Sequence, residues 1–191
     1  MSAPEVLQRI TAALDQAGIA YMLTGSFASA HYGAPRSTQD IDLVIAATVE
    51  QLTSLVQNLP SGEYYADLDA ALEARRRESL FNIIDLATGW KIDLIFRKSR
   101  PFSQGEFARR QQISLQGLRL FIASAEDVIV AKLEWAKLAK SQRQIDDVAT
   151  ILRLRGDVLD RSYLEGWISE LDLKAQWIVA RSAAGLSETG S

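Results

Sequence analysis

Three aspartates interrupt runs that otherwise read as apolar strands: Asp40 and Asp42 in QDIDLVI, and Asp93 in KIDLIF. Aspartate is depleted in strands. The two-residue period of a strand puts Asp40 and Asp42 on one face and directs Ile41 and Leu43 to the core. At roughly 6.5 Å and an effective dielectric near 20, two such charges repel by about 2–3 kcal/mol. A cation is therefore expected beside them. Arg36 or a lysine would serve, and so would Mg2+, which takes carboxylate oxygens and keeps waters and substrate phosphates as its other ligands. Asp93 lies on another strand, and a neighbouring position in the same sheet brings it onto the same face.

A second feature precedes the acids. Gly25-Ser26 ends an apolar strand. Gly25 lets backbone approach a phosphate, Ser26 supplies a hydroxyl and an N–H, and a helix starting there adds its positive end. Singly, an Asp-x-Asp is a common surface feature and a Gly-Ser a common turn. Their order makes a phosphate cradle followed, fourteen residues after Ser26, by acids suited to a metal. The sole histidine, His31, has no cysteine partners and reads as a packing or loop residue.

The elements that must position these residues are legible from caps and periodicity. Ser2 with Glu5 forms a capping box ahead of the stripe Val6, Ile10, Ala13, Leu14 and Ala17, which Gly18 closes. A strand over Ile19–Thr24 and a short helical segment through Ala28 and Ala30 lead to Gly33. Pro35 makes Ala34–Gln39 a loop before a strand over Asp40–Ile45. Thr48 with Gln51 caps a helix carrying Leu52, Leu55 and Leu59, and a further helix is expected over Asp69–Glu78. Hairpins are expected around Ala87–Trp90, joining Leu80–Leu86 to Lys91–Phe96, and around Gln116-Gly117, joining Ile113–Leu115 to Leu118–Ile122. From Ser124, which forms a capping box with Asp127, the pattern is helical to about Ala184. The reading is an α+β fold with a mixed sheet flanked by helices over 1–123, a C-terminal helical lobe over 124–184, and a disordered polar tail over 185–191.

Composition narrows the classes. The 191 residues are 48% apolar and 24% charged, with net charge -3, so no global basic field collects nucleic acid. Arg75–Arg77 and the group Arg97, Lys98, Arg100, Arg109 and Arg110 are the local basic clusters, read first as solvated faces. Cysteine is absent, which excludes disulfides and thiolate metal sites. No apolar run reaches the roughly 18 residues of a membrane span, and no signal pattern opens the chain. A cytoplasmic protein without a membrane partner is expected.

With these residues in hand, the chain resembles the DNA polymerase beta-like nucleotidyltransferase superfamily, whose pattern is an apolar strand, Gly-Ser, a short helix, Asp-x-Asp and a later strand acid. Gly25, Ser26, Asp40, Asp42 and Asp93 match it across residues 19–96. Within the superfamily the segment is most similar to bacterial minimal nucleotidyltransferases and to toxin nucleotidyltransferases of abortive-infection toxin-antitoxin systems. Tyr32, Gly33, Arg36, Thr38 and Asp40 match their Tyr-Gly-x-x-Arg-x-Thr-x-Asp run. Those proteins also carry a lysine and an acid on C-terminal helices, matched by Lys132 and Asp147, with Asp146 exchangeable for the latter.

The resemblance implies a Mg2+-dependent, two-metal nucleotidyltransferase that uses an NTP as substrate. Asp40, Asp42 and Asp93 would be the catalytic and metal residues, and Gly25, Ser26, Arg36, Thr38, Lys132 and Asp147 the nucleotide-binding ones. The acceptor would be a hydroxyl on RNA such as tRNA, on protein, or on a small molecule such as an aminoglycoside. Bland readings stand beside these. Lys132 is a surface lysine paired with Asp127, Glu134 or Asp147; Arg36 is a loop arginine neutralising Asp40; and the whole chain is a nucleotidyltransferase-like binding protein or antitoxin without turnover. An antitoxin partner, or a homodimer through apolar faces of the C-terminal helices, completes the partner classes.

Overall fold

The computed structural model describes residues 3–186. Ser2 of the expected first cap and residues 187–191 of the expected tail lie outside the described residues. Helix α1 (Ala3–Gln16) buries Val6, Leu7, Ile10 and Leu14 along one stripe. It leads to β1 (Ala20–Leu23), α2 (Gly25–His31), β2 (Asp40–Ala46) and α3 (Val49–Asn58). The full Thr48–Gln51 capping box forms at the start of α3. Next come β3 (Tyr64–Ala66), α4 (Leu68–Arg76), β4 (Leu80–Asp85), β5 (Lys91–Phe96), α5 (Pro101–Ala108), β6 (Gln111–Leu115) and β7 (Leu118–Ile122). Four helices follow: α6 (Ala125–Ala139), α7 (Gln142–Arg155), α8 (Arg161–Glu170) and α9 (Lys174–Ala183).

The seven strands form one mixed sheet in the order β3-β4-β5-β2-β1-β7-β6. Strand β2 is parallel to β5, β1 is parallel to β7, and the remaining neighbours are antiparallel. The fold is α+β, as the sequence suggests, and both expected hairpins form. The chain divides into two compact units. One holds the described residues up to Phe27 together with Ser37–Ala123; the other holds Ala28–Arg36 together with the described residues from Ser124 onward. The chain thus passes from the sheet unit to the helical unit within α2, and the nine residues 28–36 group with the C-terminal helices.

Two elements carry too little local signal to be read in advance. Strand β3 has three residues and exists through its pairing with β4, Tyr64 opposite Asp85 and Ala66 opposite Ile83. Helix α5 buries Phe102, Ser103, Glu106 and Phe107 along one face, but two of the four are polar, so no apolar stripe marks it and Pro101 at its start is the helix signal. The expected first strand is shorter, beginning at Ala20, and the expected helix over Asp69–Glu78 starts at Leu68 and ends at Arg76.

The start of α6 is held by side chains inside the protein. Ser124 is fully buried; its Oγ accepts from the Asp127 N–H at 3.2 Å and donates to Asp127 Oδ2 at 2.7 Å. Tyr163 of α8 donates to the other carboxylate oxygen at 2.6 Å. Ser141, at the start of α7, makes no such cap bond. Ser124→Ala is expected to cost about 1–2 kcal/mol, and Ser141→Ala only a few tenths. Urea midpoints of the two variants measure this, and equal losses would refute the contrast.

Candidate functional site

The sheet unit assembles its charged residues through one pairing. Along the parallel ladder of β2 and β5, Asp40 lies opposite Lys91 and Asp42 opposite Asp93. Paired strand residues share a face. Three carboxylates and an ammonium therefore crowd one side of adjoining strands, while Ile41, Leu43, Ile92 and Leu94 are fully buried on the other. Strand β4 adds Asn82 opposite Asp93.

Lys91 places a cation against two of these acids. Its Nζ lies 3.1 Å from Asp93 Oδ2 and 3.6 Å from Asp40 Oδ1. The Asn82 amide donates to Asp93 Oδ1, so both oxygens of this buried carboxylate are engaged. The hydrogen bond to Asp93 is the main influence that holds the Lys91 ammonium above its usual pKa, with attraction to Asp93 and Asp40 adding to it. The sequence does carry a signal for Lys91: Lys-x-Asp on β5 repeats the spacing of Asp-x-Asp on β2. What it lacks is the pairing of the two strands.

Gly25 is held against Asp42. Its φ is +61°, and an added Cβ would fall 2.0 Å from Asp42 Oδ2, so any side chain here would push the carboxylate away. The Thr24 N–H donates to the Asp42 carbonyl at 2.9 Å, bringing the end of β1 beside the acid. Ser26 is buried in the first turn of α2. Thr38 accepts at Oγ1 from the Asp40 N–H at 3.2 Å and so fixes the entry to β2. Phe27 and Trp90, both half-buried, meet with ring centroids 5.9 Å apart.

Among the described residues no three acidic or histidine side chains form a ready cage for a metal ion. Asp40, Asp42 and Asp93 share a face, and Lys91 bridges the first and the last. The donors are nevertheless all carboxylate oxygens, the type a hard divalent ion takes, and two of the acids are in direct register.

The helical unit builds a second charged cluster. Lys132 of α6 is only 4% exposed and donates to Asp147 Oδ2 at 2.6 Å and to Gln144 Oε1 at 3.0 Å. Arg36 Nε is 3.4 Å from the same Asp147 oxygen. One carboxylate on α7 thus faces two cations. Helix rotation separates the two neighbouring acids: Asp147 turns inward with Ile151, whereas Asp146 is exposed and accepts from Gln142 Nε2 at 2.9 Å. Lys132 is therefore no surface lysine, and Arg36 pairs with Asp147.

In the same unit Tyr32 is buried, with Arg155 over its ring at 5.7 Å. Burial, reinforced by Glu126 and Asp127, pushes the Tyr32 phenol up to about 12. His31 meets Tyr32 edge-on, and burial followed by the Arg155 charge lowers its pKa, which fits the packing role expected of it. Gly33 has φ +108°, and a Cβ there would lie 2.4 Å from Leu154 Cδ1, so a side chain at 33 would displace the end of α7. No described helix is long and apolar enough to cross a membrane.

No protein-family model and no curated protein matches the chain. Solved structures do. A crystal structure of an antigenic nucleotidyltransferase-like protein from Paracoccidioides brasiliensis matches with TM-score 0.58 at 17% identity, over 96% of this chain and 92% of that one. The solution structure of the antibiotic-resistance factor ANT(2'')-Ia matches with TM-score 0.59 at 16% identity, over 92% and 95%. The fold is that of nucleotidyltransferase-like proteins.

Breaking a buried ion pair by removing one partner leaves an uncompensated charge and typically costs about 3–5 kcal/mol. Lys132→Met is expected to fall near the lower end, because Arg36 stays beside Asp147. The double variant Lys132→Met, Asp147→Asn should cost at least about 1 kcal/mol less than the sum of the two single changes. Urea unfolding of the four proteins closes the cycle, and strict additivity would show that the pair is not coupled.

Proposed function

We propose that this protein is a Mg2+-dependent nucleotidyltransferase that moves a nucleoside monophosphate from an NTP to a hydroxyl acceptor. The observation that carries the reading is the parallel register of β2 and β5, which aligns Asp40, Asp42 and Asp93 on one face with Gly25 against Asp42. The nucleotidyltransferase-like fold supports it.

In the transfer, the acceptor oxygen bonds to the α-phosphorus while the bond from that phosphorus to the bridging β-phosphate oxygen breaks. Pyrophosphate leaves with the electron pair. Mg2+, when bound by Asp40 and Asp42, supplies charge that lowers the pKa of the attacking hydroxyl and neutralises the leaving pyrophosphate. Asp93, with one oxygen fixed by Asn82, either adds a ligand to a second ion or takes the hydroxyl proton. Gly25 and Ser26 bring backbone to the triphosphate, and Thr38 holds the start of the aspartate strand in place. In the helical unit, Arg36 and Lys132 are proposed as phosphate-binding cations, with Asp147 as the counterion that holds both.

The acceptor class is decided by a screen. Each radiolabelled NTP with Mg2+ is offered total RNA, a protein extract and aminoglycosides, the last because one structural neighbour is an antibiotic-resistance factor. Label should pass to one acceptor class, and Asp42→Asn should reduce transfer to background. Undiminished labelling by Asp42→Asn would sink the assignment.

One observation favours a second reading, a nucleotidyltransferase-like binding protein without turnover: the Lys91 ammonium already neutralises part of the carboxylate face. Calorimetry with Mg2+ and each NTP separates the two, since no heat at millimolar ligand favours the binding protein.

A toxin role, with a tRNA acceptor and an antitoxin partner, is the narrowest form of the proposal and rests on the Tyr32–Asp40 run and on Lys132 and Asp147. Induced expression should then arrest growth, and Asp40→Ala should relieve the arrest. Harmless overexpression of the unmodified protein would argue against it.

A further inference from the structure

We infer that Lys91 is a built-in counter-cation of the carboxylate face, which a divalent ion must displace in order to bind. The inference rests on the proposed metal role of Asp40, Asp42 and Asp93. Lys91 occupies Asp93 Oδ2 at 3.1 Å and reaches Asp40 Oδ1 at 3.6 Å, while Asn82 occupies Asp93 Oδ1. Each oxygen of the buried Asp93 thus already has a partner, and at Oδ2 that partner carries a positive charge where an ion would approach. Asn82 sits opposite Asp93 on the antiparallel neighbour strand, and its amide donates to Asp93 Oδ1. The Lys91 side chain is 43% exposed, so its flexible stem has water to swing into.

Charge makes the exchange competitive. The ammonium and a divalent ion seek the same oxygens, and a displaced Lys91 stays tethered to the strand opposite Asp40, close enough to repel the incoming ion. Without metal, Lys91 relieves the repulsion among the aspartates. With metal, it opposes binding and is released toward solvent as a free cation. The ion alone therefore binds weakly, and an anion that arrives with it gains a partner in Lys91.

The test is Mn2+ binding, read from the electron paramagnetic resonance signal of the free ion, on the full chain without nucleotide. Lys91→Met and Lys91→Gln, the second of which keeps a donor for Asp93, should each bind Mn2+ about tenfold more tightly than the unmodified protein. Lys91→Arg should bind like the unmodified protein, and Asp42→Asn should lose binding. Circular dichroism checks that each variant is folded. If the unmodified protein binds Mn2+ and the two neutral variants bind it equally or more weakly, Lys91 is no competitor and the metal reading stands alone. If neither the unmodified protein nor the neutral variants bind at millimolar Mn2+, both readings fall. Binding by the neutral variants alone supports the competition in its strongest form.

Discussion

The parallel pairing of β2 with β5 is the constraint on which the sheet unit's chemistry depends. A parallel pair cannot be closed by a tight turn, and here residues 47–90, with α3, β3, α4 and β4, intervene. Its register is set by burial. Ile41, Leu43 and Ile45 pair with Ile92, Leu94 and Phe96, all buried, and a slip of one residue would exchange an aspartate face for an apolar one. The same apolar contacts that exclude water from one side of the sheet thus bring Asp40, Lys91, Asp42 and Asp93 together on the other. The site is a by-product of core packing in the sense that no polar interaction need specify it.

Charge is handled differently in the two units. On the sheet, Asp40 and Lys91 are about half exposed and water screens that pair, whereas the Asp93 carboxylate that Lys91 also meets is buried. Lys132 and Asp147 are nearly dry, and an ion pair in that setting contributes little net stability but is costly to break. Its consequence is geometric: α6, α7 and the segment ending at Arg36 are tied to one carboxylate oxygen.

Much of this was legible in advance. Caps at Thr48 and Ser124, the apolar stripe of α1, the alternation in β2 and β5 and the two hairpins are local signals, and the structure contains all of these elements. The three aspartates stand out because strands seldom carry them. Strand β3 and helix α5 were not legible, since one is held by its edge pairing and the buried face of the other is half polar, Ser103 and Glu106 beside Phe102 and Phe107. Lys91 and Asn82 were missed for the same kind of reason: neither is unusual on its own strand, and each matters only because of what lies opposite.

The sequence by itself determined which residues share a strand face, where most helices begin, and that an excess of negative charge on β2 and β5 had to find a cation. Only the tertiary structure decided that Lys91 meets Asp40 and Asp93, that Arg36 goes to Asp147, and that Asp147 rather than Asp146 turns toward Lys132. The division follows from range. Propensity, capping and periodicity act over a few residues and are written in the local order of the chain. The partner of a charge is chosen by strand order and helix rotation, which the packing of the whole core sets.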